Sequence, residues 1–375
     1  MATAPRRLQT PPYLKREPLT LAILAGAAVV FFLAVSALAG FHDAQRESLA
    51  QRWAGRGVMD LRARQYGPAV VDFRTALLYA RDSSAYQLSL AQALMGLHRE
   101  DEAEAYLVNL WEREPENGLV SLELARIAAG KRQTDRALRY YHNAIYATWT
   151  GNQDQARHQA RLELIDYLLQ IGAKPQADAE LIDLAASFGR NSRENLLLGQ
   201  LFLRAGDNRR ALAAFRDALK NHRHNAPALV GAGTAAYHLA LYTDAQRYLE
   251  EAHAAEPSNS DVAEELNMAR AVLHWDPFRS QVSQTNRNRI AVEAFAAVGR
   301  RLKICGSNPQ AQPLQQAWTK LKPQIAERML RRQPDLINTA MNLAFEIEKQ
   351  TASMCGPQSD TDRALLLISN LHEEN

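Results

Sequence analysis

The chain has 375 residues, 47% of them hydrophobic and 23% charged, which supplies buried cores and argues against disorder along its length. Its formal charge of +3 resides in residues 1–18 (Arg6, Arg7, Lys15 and Arg16 against Glu17), and the other 357 residues hold 40 bases and 40 acids, a balance unlike that of a nucleic-acid surface. Two cysteines are too few for a four-thiolate zinc site or an iron–sulfur ligand set.

After the basic tail, Leu19 to Phe41 is a run of 23 residues without a charge. A helix rising 1.5 Å per residue crosses a hydrocarbon layer of about 30 Å with about 20 apolar residues. The run therefore predicts a transmembrane helix over 19–41. A cleaved secretory signal is the competing reading, because Ala37-Leu38-Ala39 has the small residues of a cleavage site. The stretch before that site is 17 residues, longer than the roughly 7–15 of a signal core, which favours an anchor. Arg6-Arg7 has poor flanking residues for twin-arginine export. Four cations precede the span, against Arg46, Arg52 and Arg56 after it, so the expected topology is a cytoplasmic tail (1–18) and an exported, periplasmic body. Ala22 and Gly26, four apart, would let two copies pack closely and form a homo-oligomer, although small residues are common in any spanning helix.

Beyond the span, one ruler governs the chain. Ala69, Ala103 and Ala137 lie 34 residues apart, as do Ala177, Ala211 and Ala245, with 40 residues between Ala137 and Ala177. Twelve residues before each alanine stands a small residue (Gly57, Ala91, Ala125, Gly199 and Gly233), except at Ile165. Four residues after each comes Phe73, Leu107, Tyr141, Leu181, Phe215 or Leu249, and three further on Ala76, Leu110, Ala144, Leu184, Ala218 or Ala252. Pro115 and Pro257 end two of the units. This pattern resembles the tetratricopeptide repeat, a helix–turn–helix of 34 residues, over about residues 50–257, and Trp53 fits that repeat's early tryptophan. The resemblance implies an all-α fold, a right-handed α-solenoid of about six hairpins. Ser260 to Leu273 reads as one further helix that caps the array, giving a solenoid over 50–273. The fourth unit departs from the pattern, with Ala173-Lys174-Pro175 at its turn, and the extra residues near 148–157 predict a longer loop or second helix in the third unit.

The resemblance further implies a concave groove lined by the first helix of each hairpin. The inward positions are then Val58, Leu61, Leu88, Gln92, Met95, Leu122, Arg126, Leu162, Asp166, Leu169, Arg193, Leu196, Gln200, Leu203, Val230, Thr234 and Tyr237. This surface is apolar with isolated polar groups, suited to an apolar or amphipathic peptide segment of a partner protein. Ala54, Val58 and Gln92 stand where carboxylate-gripping repeats need Lys, Asn and Arg, so that mode is not expected. The alternative reading is that these leucines merely pack on neighbouring helices.

The last hundred residues predict helices over 286–305, 312–333 (interrupted by Pro323), 335–352 and 360–371, a helical domain over 284–372. Cys305-Gly306 and Cys355-Gly356 close two of these helices, fifty residues apart. They read as a disulfide across a helical hairpin, worth roughly 4 kcal/mol by loop entropy and consistent with an oxidising compartment, or as two buried thiols.

Little in the chain suggests chemistry. Gly231-Ala232-Gly233 is half a dinucleotide fingerprint with no strand before it, and His222 and His224 have no third ligand nearby. There is no Walker loop, nucleophile elbow, paired-histidine zinc helix or Cys-x-x-Cys motif. The expectation is a non-catalytic interaction scaffold, tethered to the membrane by 19–41, without cofactor or metal. A periplasmic chaperone-like accessory of protein export is the alternative, with an enzyme seated in the C-terminal segment as a third.

Overall fold

The computed structural model describes residues 17–188, 191–305, 308–357 and 359–373, so that Arg6, Arg7, Lys15 and Arg16 lie outside the described residues. Among the described residues the chain is all-α, without a strand; an isolated bridge pairs Asn117 with Thr148. The fold is an all-α solenoid of helical hairpins. Its described part divides between Leu164 and Ile165 into two compact units.

In the first unit, α1 (Glu17–Arg62) pairs with α2 (Tyr66–Tyr79), α3 (Ser84–Gly96) with α4 (Glu100–Arg113), and α5 (Gly118–Gly130) with α6 (Thr134–Tyr146). The apolar run and the first helix of the first hairpin are one continuous helix of 46 residues, with no proline between Pro18 and Arg62 to break it. Every side chain from Thr20 to Glu47 is exposed, and burial begins at Ala50, where α1 meets α2. This is one helix long and apolar enough to cross a membrane by length and composition.

The division falls within α7 (Gln153–Gln170). The second unit continues with α8 (Lys174–Ser187), then α9 (Ser192–Ala205) paired with α10 (Asn208–Asn221), α11 (Ala226–His238) with α12 (Tyr242–Ala255), and α13 (Ser260–Trp275) laid on α12. Among the described residues there follow α14 (Gln284–Ile304), α15 (Gln312–Leu321), α16 (Glu327–Arg332), α17 (Leu336–Cys355) and α18 (Asp360–Glu373). Pro323 sits in a 3-10 turn over Lys322–Gln324 and breaks the predicted 312–333 helix into α15 and the short α16. The α14 and α17 helices pack together, and α18 packs on α17 and back on α13.

The 34-residue ruler is a ruler of burial. All six of its alanines, Ala69, Ala103, Ala137, Ala177, Ala211 and Ala245, are 0% exposed, and the large residue four positions on is buried in every hairpin. The small residue opposite is required by contact: a Cβ on Gly199 would stand 2.7 Å from the Phe215 ring, and one on Gly233 would stand 2.6 Å from Leu249. Each hairpin turn also repeats one backbone event. Arg64, His98, Arg132, Gly172, Gly206 and Ala240, each five residues before its alanine, adopt positive φ. The following N–H then bonds back to the carbonyl five residues earlier, as in Asp207 to Phe202, which satisfies an orphan carbonyl at the helix end. Only two of the six are glycines, so the left-handed strain of the other four is offset by packing on either side. Starts repeat as well: the side chains of Ser83, Asn117, Asn191, Asn225 and Asn259 cap the first turns of α3, α5, α9, α11 and α13.

The extra residues of the 40-residue step leave α6 at 13 residues; they slightly extend the loop 147–152 and chiefly lengthen α7, which has 18 residues against 13 in α5 and 14 in α9. In that loop Thr148 pairs with the Glu116 carbonyl and the Gly118 N–H, and the Trp149 indole covers Gly118 and donates to the Ala144 carbonyl at 2.9 Å.

Candidate functional site

The inward positions expected from the repeat lie on α1, α3, α5 and α7 in the first unit. Val58, Leu61, Leu88, Met95 and Leu162 are half-buried, each leaving part of an apolar side chain open to solvent. Leu122 differs: at 3% exposed it belongs to the core and offers no surface. The polar positions do not stand alone. Gln92 donates to Glu123 at 2.8 Å, and Arg126 donates to Glu123 at 3.0 Å and in a two-bonded fork to Glu163 at 2.8 and 2.7 Å. Gln159 donates to the same Glu163. Burial would push the Glu163 carboxyl up, but hydrogen bonds from Arg126 and Gln159 and the guanidinium charge hold it below the usual carboxylate range. Arg126 is in turn held further toward its charged form, first by its bonds to Glu163. This ladder joins the first helices of three successive hairpins.

In the second unit the expected positions fall on α7, α9 and α11. Leu169, Leu196, Leu203 and Val230 are half-buried, while Arg193 and Gln200 are exposed. Asp166 pairs with Arg204 at 2.8 Å. The Thr234 hydroxyl donates to Glu265 of α13 at 2.7 Å. Tyr237 lines a cleft of about 540 Å³ between α11, α13 and α18. Both glycines of the apparent dinucleotide fingerprint lie inside α11, where a Cβ on Gly231 would come within 2.2 Å of Phe215. They are packing positions within a helix, not a phosphate-cradling loop.

At the helix ends expected to be bridged, the sulfurs of Cys305 and Cys355 are joined, with Cα atoms 6.1 Å apart. Beside them lies a cluster that sequence reasoning missed. Arg301, one turn before Cys305 and 2% exposed, donates to Asp362 at 2.8 Å, to the Gly356 carbonyl at 2.8 Å and to the Thr351 hydroxyl, and faces Glu348 at 2.9 Å. Glu348 and Asp362 are buried too, so one guanidinium serves two carboxylates. Burial first, and then the Asp362 charge, push the Glu348 carboxyl up to about 8, against the opposing pull of Arg301. Nothing in the sequence marks Arg301 out from its exposed neighbour Arg300. The intact mass is expected to rise by two alkyl groups only when the protein is reduced before alkylation; labelling of the denatured but unreduced chain would exclude the bridge in solution.

Among the described residues no group of three or more His, Cys, Asp or Glu is placed to hold a metal ion, and His222 and His224 are exposed at the end of α10.

No protein-family model and no curated protein matches the chain. Among solved structures the chain is similar to YrrB, described as a TPR protein with an unusual peptide-binding site, at 14% identity over 51% of this chain and 96% of that one, with a TM-score of 0.41. It is similar to PilF of Pseudomonas aeruginosa at 15% identity over 59% of this chain and 97% of that one, with a TM-score of 0.42. The type IV pilus biogenesis factor PilW is similar at 16% identity over 59% and 98%, with a TM-score of 0.41.

Proposed function

We propose that the chain is a non-catalytic interaction scaffold, tethered to a membrane by residues 19–41, whose first-helix surfaces hold a peptide segment of a partner protein. One observation carries the reading. The hairpin cores are closed at 0% exposure, yet the leucines on the first helices (Leu61, Leu88, Leu162, Leu169, Leu196 and Leu203) keep one side uncovered. Residual apolar surface at helical spacing is what an apolar or amphipathic segment would bury. The polar ladder of Gln92, Glu123, Arg126 and Glu163 supports it from the other side: these groups satisfy one another, so a ligand need not supply their partners.

The remaining assignments belong to the same proposal. The solenoid spans 50–273 and is followed by helical residues 284–372. The tail over 1–18 is cytoplasmic and the body is exported, where an oxidising compartment keeps Cys305 and Cys355 joined. The tether then concentrates the partner at the membrane surface.

Crosslinking in membranes tests this, using a first-unit variant with Leu88→Glu and Leu162→Glu and a second-unit variant with Leu203→Glu. Each substituted position is half-buried, so both variants should keep native helicity while losing at least one defined crosslinked partner. Unchanged capture by both folded variants would exclude these surfaces. Capture of many unfolded clients in place of defined partners would instead identify a holding chaperone.

A further inference from the structure

The cleft between α11, α13 and α18 differs in character from the rest of the first-helix surface. We infer that it is a subsite for a cationic side chain, lysine or arginine, carried between apolar residues of a bound peptide. This inference rests on the reading of the first-helix surface as a peptide-binding face.

The floor of the cleft is apolar. Met268 of α13 is buried, Leu366 and Leu367 of α18 are half-buried, and the Tyr237 ring stands edge-on to Tyr242 with centroids 5.6 Å apart. The rim is acidic: Asp261, Glu264 and Glu265 stand at i, i+3 and i+4 on one side of α13, against the single cation Arg363 of α18. That cation is already engaged, 3.1 Å from Asp360 and 3.4 Å from Glu264. Glu265 is the least exposed of the three acids and receives a hydroxyl hydrogen bond from Thr234, but among the described residues no salt bridge reaches it. Its carboxyl is pushed up by burial and further by Asp261 and Glu264, against the Thr234 hydrogen bond and the His238 charge, as expected of a carboxylate short of positive charge.

A cleft of about 540 Å³ with an apolar floor and a negative rim suits one kind of side chain. The methylene stem of lysine or arginine would lie on Met268, Leu366 and Leu367 while its charged head reaches Glu265 and Glu264. The Tyr237 ring offers the same head an aromatic face. A neutral apolar side chain would strip water from Glu265 and leave it uncompensated, and an acidic one would be repelled. The C-terminal helices thereby acquire a role at the binding face, since α18 supplies one wall of the cleft.

The test uses the full chain in lipid nanodiscs and five fluorescein-labelled host peptides, Ala-Ala-Leu-X-Leu-Ala-Ala, with X as arginine, lysine, citrulline, leucine or glutamate. Citrulline keeps the shape of arginine without its charge. The arginine and lysine peptides are expected to bind about tenfold more tightly than the citrulline peptide, with a preference that weakens as salt is raised. The isosteric double variant E264Q/E265Q, checked for native helicity, should bind all five alike. A preference that is absent from the native chain, or that survives in the double variant, overturns the subsite. Equal binding of all five peptides that disappears in Leu203→Glu leaves the groove standing and removes the subsite. Binding of the cationic peptides alone, unaffected by Leu203→Glu but lost in E264Q/E265Q, keeps the subsite and removes the groove around Leu203. Binding of none removes both.

Discussion

Replacing Phe215 by alanine is expected to cost about 3–5 kcal/mol, the range for truncation of a buried aromatic side chain. Phe215 is 0% exposed, and its ring lies against the backbones of two helices, at Gly199 of α9 and at Gly231 of α11. A Cβ at either glycine would come within 2.7 or 2.2 Å of ring carbons, so the ring fills the gap that glycine leaves. Because glycine has no side chain to move inward, the walls of the resulting cavity cannot relax by changing rotamer, and the cavity stays open. In a linear array each hairpin contacts only its neighbours, so the loss concentrates where α10 joins α9 and α11. Hydrogen exchange followed helix by helix should show α9, α10 and α11 losing protection while α14 and α17 keep theirs. The opposite error, Gly231→Ala, forces a methyl group into the ring and is expected to cost about 1–3 kcal/mol by overpacking. An alanine variant at Phe215 within about 1 kcal/mol of the native protein would contradict this account of the repeat.

The second large effect is expected at Arg301. Arg301→Met keeps bulk and removes the buried guanidinium that Asp362 and Glu348 share, and should destabilise the protein by about 3–5 kcal/mol near neutral pH. The cluster also sets a pH dependence whose direction follows from Glu348. Its carboxyl titrates near 8 in the folded chain, well above the ordinary 4.5, so across that interval the folded state binds the proton that the unfolded chain has released. Stability is therefore full below about pH 4.5 as far as this group is concerned, and declines as pH rises toward 8. Denaturant midpoints for the native chain should fall between about pH 5.5 and about pH 8.5, and Glu348→Gln should flatten that slope. A variant that keeps the full slope would assign the titration elsewhere. Arg301 and Thr351 lie one turn before Cys305 and Cys355, so the network and the cross-link hold the same two helix ends.

The hairpin array was legible in the chain because each of its contacts recurs at a constant stride. Helix pairs that touch only their neighbours write the same requirement every 34 residues: a small side chain where axes approach, and a large one to fill the space between them. That is why Ala69 through Ala245 could be placed in the core without any coordinates. The turn conformation repeats just as strictly but was hidden, since Arg64, His98, Arg132 and Ala240 carry no glycine to announce positive φ. The continuity of α1 was hidden for the converse reason: the sequence shows where a helix is permitted, and the end of this one is set by its turn into α2. The ladder through Arg126, the cluster around Arg301 and the acid-rimmed cleft all join residues 31 to 99 positions apart. Apart from the 31-residue step that Gln92–Glu123 shares with Thr234–Glu265 and the ladder's stride, no period relates these pairs, and a buried arginine has the same letters around it as an exposed one. The period could establish which helices lie side by side, whereas the meeting of α13 with α18 and of α14 with α17 depends on how non-repeating helices fill the space at the end of the array.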